Sequence, residues 1–531
     1  MTSHRLVMGV IIRVMVVNRR VRFALAFVVP AVLVCLAEAQ TTTPPSPPAD
    51  PVLAGYLRFY SGDREAAFKH FEALRARDPD NLALWYGQLF AHEGRIEMRP
   101  ALQASFEQDI DRFLAKAEER YNRTHADTEA LFYLANGYLL RSRHRLEYNN
   151  SVWGAARDAA KAKGYSDAYL QQHPEHGDAY LGAGLYNYYV DIAPTFVKLL
   201  RVILFLPAGS RTEGLKQLER AAREGNLFAP LANDVLTEIY GVFEGRVSDA
   251  IGVSERLQRR FPDNPDYRLD LARLYANPAI ESFGRAEEQY AAVLARATGT
   301  SLEDLRAKYG ATLGLADLRR SQWRLDEAAA LLTPVIDAKI SSPEWVMPAF
   351  LLRRANYRML LNDGGAADDA RRVSSNKQMN SSHKAAERQL AAIAERRPDE
   401  GAIYAELIPA NRLAAEHRWP EAQAAYERIG AQHPGDVQVK YRLAYLDFQR
   451  GHYDAAARGL EPIVASGAKT PRWLKAAAML NLGWTYDIAG RRGDAVKLYK
   501  KVVDDYEDQT AANGARLGLI TPYRPRALDA T

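Results

Sequence analysis

The chain of 531 residues contains a single cysteine, Cys35. An intrachain disulfide framework and a cysteine-rich zinc or iron–sulfur site are therefore both excluded. An excess of charge is also lacking in the body of the chain. Residues 1–39 hold five Arg and one Glu, which leaves 65 basic and 64 acidic residues in the rest. A nearly neutral body has no global electrostatic reason to seek phosphate, so nucleic acid is not an expected partner. No apolar run reaches the roughly 20 residues that a membrane-spanning helix needs. A P-loop lysine pattern and a G-x-S-x-G elbow are missing as well. What is present is ordinary folded composition, 47% hydrophobic and 25% charged. The length suits several domains or one repeat array.

The N-terminus carries an address. Arg19, Arg20 and Arg22 precede an apolar run from Phe23 to Leu36, and Ala37-Glu38-Ala39 follows. A charged region, a short apolar region and an A-x-A site make residues 1–39 an expected signal peptide, with the mature chain starting at Gln40. The protein is thus expected to be exported, periplasmic or secreted. The run contains Pro30 and is too short for a permanent anchor. Residues 40–51 form a linker, because five prolines between Thr41 and Pro51 favour extended polyproline II.

The remainder repeats. Met479-x2-Leu482-Gly483-x2-Tyr486, then Gly490 and Ala495-x3-Tyr499, match the tetratricopeptide pattern of small and large positions. Leu443-Ala444, Gly451 and Ala456-x3-Leu460 repeat it, as do Ala422-x3-Tyr426 and Pro434. Ala422 and Ala456 are one 34-residue period apart. Gly55, Gly62, Ala67-x3-Phe71 and Pro79 form an early unit, and Ala286-x3-Tyr290, Leu313-Gly314 and Ala328-x3-Leu332 continue the register. The small residues sit where two antiparallel helices cross closely, and the large ones fill the gap to the next unit. Proline stops each second helix. The expected fold is all-α, an α–α superhelix of roughly ten to twelve helical pairs with a concave face. The expected division is an N-terminal array over 52–372, a hinge over 373–400 around the polar stretch Val373–Ser382, and a C-terminal array with a capping helix over 401–531.

A narrower likeness lies near the middle. Tyr180-Leu181-Gly182-Ala183-Gly184-Leu185-Tyr186-x-Tyr188-Tyr189 leads to Pro194, Lys198-Leu199-Leu200, Pro207-x-Gly209 and Arg211-x2-Gly214-Leu215-x2-Leu218-Glu219-x-Ala221. Over roughly residues 130–300 the chain resembles bacterial relatives of the tetratricopeptide-repeat thirty-nine and inclusion-body-clearance family. That resemblance implies a helical repeat protein with no catalytic residues to carry over.

Chemistry-bearing motifs are incomplete. His92-Glu93 begins like a zincin motif, but Ile96 stands where the second His belongs. His173 and His176 flank a repeat-ending Pro174 and read as surface residues of a turn. Gly182-Ala183-Gly184 lacks the third glycine of a dinucleotide fingerprint, Asn187 standing in its place. Ser374-x2-Lys377 and Ser381-x2-Lys384 match S-x-x-K without its companions, and Asp368-Asp369 and Asp504-Asp505 read as helix ends. The carboxylate clamp of cytosolic chaperone adaptors is not expected either. Asn411 fits one of its places, but Leu407, Arg442, Ala477 and Asn481 do not supply the rest. No catalytic residue, cofactor or metal is expected.

What remains is surface. Tyr441, Tyr445 and Phe448, with Leu480, Trp484 and Ile488, are expected along the groove, where aromatics suit peptide or helix recognition. The alternative is packing against the next unit. Phe196, Leu199, Leu200, Ile203 and Leu204 form a candidate segment for docking on lipid or a partner, the alternative being a buried helix. The expected function is an exported, non-catalytic scaffold that binds a protein partner in the cell envelope. A glycan-guiding solenoid and a helical-toroid hydrolase are the alternatives.

Overall fold

The computed structural model describes residues 50–192, 207–277, 280–340, 342–376, 379, 382–467 and 470–525. Among them there are 24 α-helices and no strand, so the fold is all-α. They divide into two compact units, one of residues up to 238 together with 252–267, the other of 239–251 together with 268–525. The expected signal peptide lies outside the described residues, as do the linker up to residue 49 and all five residues of the expected docking segment.

The first unit runs through α1 (Pro51–Tyr60), α2 (Arg64–Arg75), α3 (Leu82–Ile96), α4 (Gln103–Arg123), α5 (Thr128–Glu147), α6 (Val152–Gln172), α7 (Tyr180–Ile192), α8 (Arg211–Glu224) and α9 (Ala229–Glu238). Local chemistry sets the helix starts. The Asp63 carboxylate accepts from the Ala66 amide at 2.8 Å, and the Asn81 side chain from Leu84 at 3.2 Å, covering amides that the first turn leaves bare. The small–large rule then sets the pairing. The Phe71 ring is fully buried and lies where a Cβ on Gly55 or Gly87 would stand, so glycine on α1 and α3 lets one ring fill both gaps. In the stretch that carries the narrower likeness, a Cβ on Gly214 of α8 would come 2.8 Å from the Gly184 carbonyl oxygen of α7. Those two glycines are required by close backbone approach.

The segment just before α9 packs back on earlier helices of this unit. The Asp178 carboxylate accepts from the amides of Leu227 and Phe228 at 3.0 and 2.8 Å and aims that segment inward. Phe228 then packs edge-on to Tyr56 and against Tyr86 and Phe132, with centroids 5.6–6.2 Å apart. The Tyr60 hydroxyl donates to the Leu227 carbonyl at 2.9 Å.

After α10 (Val247–Arg260) and α11 (Pro265–Tyr275), which span the division, the second unit holds α12 (Phe283–Arg296), α13 (Leu302–Ser321), α14 (Leu325–Asp337), α15 (Val346–Leu360), α16 (Ala366–Ser374) and α17 (His383–Glu395). It continues with α18 (Pro398–Ala415), α19 (Trp419–Gln432), α20 (Val437–Gln449), α21 (Tyr453–Ala465), α22 (Arg472–Ile488), α23 (Arg492–Asp505) and α24 (Ala511–Ile520). Helix α17 occupies the middle of the stretch expected as a hinge. Tyr499 of α23 repeats the role of Phe71, its ring lying against Gly483 of α22 and Gly518 of α24. The unit also returns on itself, because Thr521 just after α24 donates its hydroxyl to the Phe243 carbonyl at 2.9 Å.

Candidate functional site

Each hairpin of the second unit turns through one residue in the left-handed region. Gly451 (φ 78°) and Gly490 (φ 74°) do so without steric cost. The equivalent places between α11 and α12, α13 and α14, and α18 and α19 hold Glu281 (φ 48°), Trp323 (φ 58°) and His417 (φ 61°). Left-handed backbone at such residues is uncommon, and a bulky side chain there is a true outlier. Strain of this kind persists only where surrounding contacts hold it.

Those contacts reach far along the chain. Glu281 has a fully buried side chain, and its carboxylate lies 3.6 Å from His417 Nε2. The Trp323 carbonyl accepts from Arg412 at 3.4 Å, and Asp326 pairs with the same guanidinium at 3.3 Å. The Trp323 ring tilts against Tyr404 at 6.1 Å, and Tyr404 meets Trp473 edge-on at 5.6 Å. Glu400 anchors that end by accepting from Trp473 Nε1 at 3.1 Å.

Arg442 of α20 enters this aromatic wall. Its guanidinium carbon lies 4.7 Å from the Trp323 ring centre, 5.6 Å from Tyr441 and 5.8 Å from Tyr404. Burial pulls its pKa down, but the nearby Tyr404, Tyr426, Tyr441 and Tyr445 hydroxyls outweigh that and the group stays firmly charged. From Arg442 the rings climb α20 at helical spacing. Tyr441 stacks on Tyr445 at 5.9 Å and 9°, and Tyr445 on Phe448 at 6.0 Å and 10°. Phe448 then meets Trp484 of α22, and Tyr523 lies over Trp484 at 4.8 Å.

The six expected groove residues therefore do not all stand alike. Tyr441, Tyr445, Phe448 and Trp484 form the continuous ring ladder. Tyr441, Phe448, Leu480 and Trp484 are buried, and Tyr445 and Ile488 are half-buried. Phe448, Leu480 and Trp484 pack with Tyr499 in one cluster that Tyr523 joins. Sequence reasoning missed Trp323, Tyr404, Trp473 and the strained Glu281 and His417. The detectable signal was a glycine position filled by a large residue.

The incomplete motifs become structural parts. His92 is buried between Phe68 and Phe106, and Glu93 pairs with Arg143. His176 Nδ1 contacts the Tyr169 hydroxyl at 2.7 Å, and His173 lies 3.5 Å from Glu175. Asp369 is buried in a two-point ion pair with Arg354 at 2.7 and 2.8 Å, and Asp505 pairs with Lys501 at 2.6 Å. Asn411 and Asn481 serve the hydroxyls of Tyr426 and Tyr441, both at 2.8 Å. Among the described residues no group of three or more His, Asp or Glu is placed to hold a metal ion, and no helix is long and apolar enough to cross a membrane.

Antiparallel helix pairs stacked through a small residue at each crossing define a helical-repeat protein. Two tetratricopeptide-repeat family models match the chain, one over residues 413–480 and the other over 477–508. Residues 413–508 thus carry tetratricopeptide repeats, and such repeats belong to a class of protein–protein interaction scaffolds. The matches lie outside the stretch that carries the narrower likeness. No curated protein matches the sequence. Solved structures similar to it include the tetratricopeptide-repeat domain of P58(IPK), 13% identical, covering 88% of this chain and 95% of that one with a TM-score of 0.19. Yeast Tom70 is 13% identical, with 86% and 92% covered and a TM-score of 0.30. At these scores neither likeness carries an argument.

Proposed function

We propose that the protein is an exported scaffold that holds a protein partner against the inner wall of its second unit, in the cell envelope. The observation that carries this reading is the alignment of strained turn residues with an aromatic wall. Trp323 is held in left-handed backbone and delivers its ring to Tyr404 and Arg442. A hairpin turn alone does not require tryptophan there, whereas a recognition surface benefits from a rigid aromatic anchor. Export rests on the Arg19–Ala39 segment, whose pattern is that of a cleaved signal. The glycan alternative needs open ring faces, and Tyr441 and Phe448 are buried, each with its ring plane nearly parallel to that of Tyr445.

Chemical crosslinking in the native envelope followed by mass spectrometry tests the reading. The expected result is a reproducible envelope-protein partner, and a mature chain whose mass begins at Gln40. Recovery of no protein partner, together with binding of a glycan, contradicts it.

A further inference from the structure

The side chain of His144 on α5 is 1% exposed, and its ring lies against Phe106 of α4 at 4.6 Å and Tyr148 at 4.9 Å. Its Nε2 is 3.1 Å from a carboxylate oxygen of Glu107 on α4. Hydrogen bonds from Gln103, His144 and Asn149 hold that carboxyl below its usual range, so Glu107 accepts and Nε2 carries the hydrogen. Nδ1 is then left with a lone pair, and it is buried with no hydrogen-bond partner. A second proton there would bring a charge into an apolar place and a donor with nothing to accept it. Burial outweighs the pull of the Glu107 and Glu93 carboxylates and lowers the imidazole pKa.

The ring sits on a seam. Helix α4 begins without a side-chain cap. Its first turn is tied to the end of α5 through one Glu107 oxygen, which accepts from Gln103 and Asn149, each at 3.0 Å, as well as from His144. Gln103 also donates to the Asn149 side-chain oxygen at 2.7 Å. The other charged groups on the helices around α5 are committed elsewhere. Glu93 of α3 pairs with Arg143, and Glu97 acts on Glu147 and Tyr148. Glu147, pushed up to about 8, is uncharged in mild acid. Asp158 of α6 is held by Arg141 and Arg145, and Asp191 of α7 accepts from the Arg211 amide. Phe106 also meets a second imidazole, His92 of α3, at 5.7 Å; that ring faces Asp109 and Arg95, and burial lowers its pKa too.

We propose that His144 is an acid-sensitive catch, which when neutral ties the first turn of α4 to the end of α5 through Glu107 and when protonated in mild acid releases that seam. Opening gives the imidazolium the water that the closed seam denies it. In the open form histidine titrates at its ordinary value of about 6.5. That form therefore binds more protons as pH falls, and the advantage of the closed form, full above about 6.5, shrinks below it. The catch lies within the first unit and needs no partner, so it stands or falls apart from the scaffold reading.

Hydrogen–deuterium exchange of the full-length chain at pH 7.5 and pH 5.0, corrected for intrinsic rates, tests the proposal through peptides covering residues 100–110 and 140–150. Wild-type protection there is expected to fall roughly tenfold at pH 5.0, within the ceiling of about thirtyfold that one histidine can supply over this range. His144→Gln, uncharged at every pH and still able to donate an amide hydrogen towards Glu107, is expected to abolish the fall. His92→Gln is expected to retain it. Histidine Cε1 resonances followed by NMR in the wild type give a reading that needs no variant, with His144 titrating below 6.5. Protection that is flat with pH in the wild type, an undiminished fall in His144→Gln, a fall abolished by His92→Gln, or a His144 ring titrating above 6.5 would each overturn the proposal.

Discussion

Arg64 and Asp266 are 202 residues apart in sequence and form an ion pair at 2.6 Å, with side chains only 6% and 5% exposed. Asn264 donates to the Tyr60 carbonyl at 2.9 Å beside it. The pair joins the first hairpin to a segment far along the chain within the first unit. Taking one charge from a buried pair leaves the other in a poorly solvating place. Asp266→Ala is expected to destabilise the protein by about 3–5 kcal/mol in urea unfolding. The double variant Arg64→Met, Asp266→Leu is expected to recover most of that loss. A double variant as unstable as the single one would show that the site needs the hydrogen bonds rather than charge balance.

Glycine is required at the helix crossings and dispensable at open helix positions. A methyl group on Gly483 would overlap the buried Tyr499 ring, whereas one on Gly493 would meet nothing within 4 Å. Gly483→Ala is therefore expected to cost about 1–3 kcal/mol. Gly493→Ala, in the first turn of α23, is expected to be neutral or to stabilise by up to about 1 kcal/mol. Equal losses at both positions, read from chemical denaturation, would refute the steric account of the repeat.

The hairpin turns make a second contrast. Gly451→Ala puts a Cβ into left-handed backbone and is expected to cost about 1–2 kcal/mol. Trp323→Gly relaxes its turn but removes the ring that faces Tyr404 and Arg442. Its expected signature is a small change in thermal midpoint with a clear loss of partner recovery in crosslinking. Normal recovery would mean that the strain at Trp323 serves packing alone.

Burial, then the Glu93 charge, push the Glu147 carboxyl up to about 8 against the pull of Arg143. In the unfolded chain the same group titrates at about 4.3. Between those values the unfolded chain gives up its proton while the folded chain keeps it. Stability from this group is thus full below the unfolded value and is lost as pH rises through about 8. Glu147→Gln, neutral at every pH, is expected to match wild type near pH 4 and to exceed it by on the order of 1–3 kcal/mol near pH 9. Parallel stability curves for the two proteins across that range would contradict the assignment.

Local rules were legible in the sequence and long-range winding was not. The packing of Phe71 on Gly55, the glycines at 451 and 490, and the stops at Pro79 and Pro434 follow from spacing and from the steric properties of glycine and proline. How tightly successive hairpins wind depends on small rotations at each crossing, and these leave no periodic mark. The sequence therefore suggested an open concave face. The structure packs Phe228 against Tyr56 in the first unit and joins His417 to Glu281 in the second, two long-range contacts with no mark in the sequence. Arg442 was visible only as a misfit to a known clamp. Its meaning comes from Trp323 and Tyr404, which lie on other hairpins. The search for glycine at each turn also passed over Glu281, Trp323 and His417, because a large residue in a glycine position looks like the absence of a repeat.

A photo-crosslinking amino acid placed at Tyr445, on the ring ladder, and separately at Trp153, an exposed large hydrophobic residue of the first unit, tests the central claim most directly. Irradiation in the native envelope is expected to capture one defined protein from position 445 and none from position 153. Capture from position 153 alone, or from neither position while the protein is folded and exported, would contradict the account.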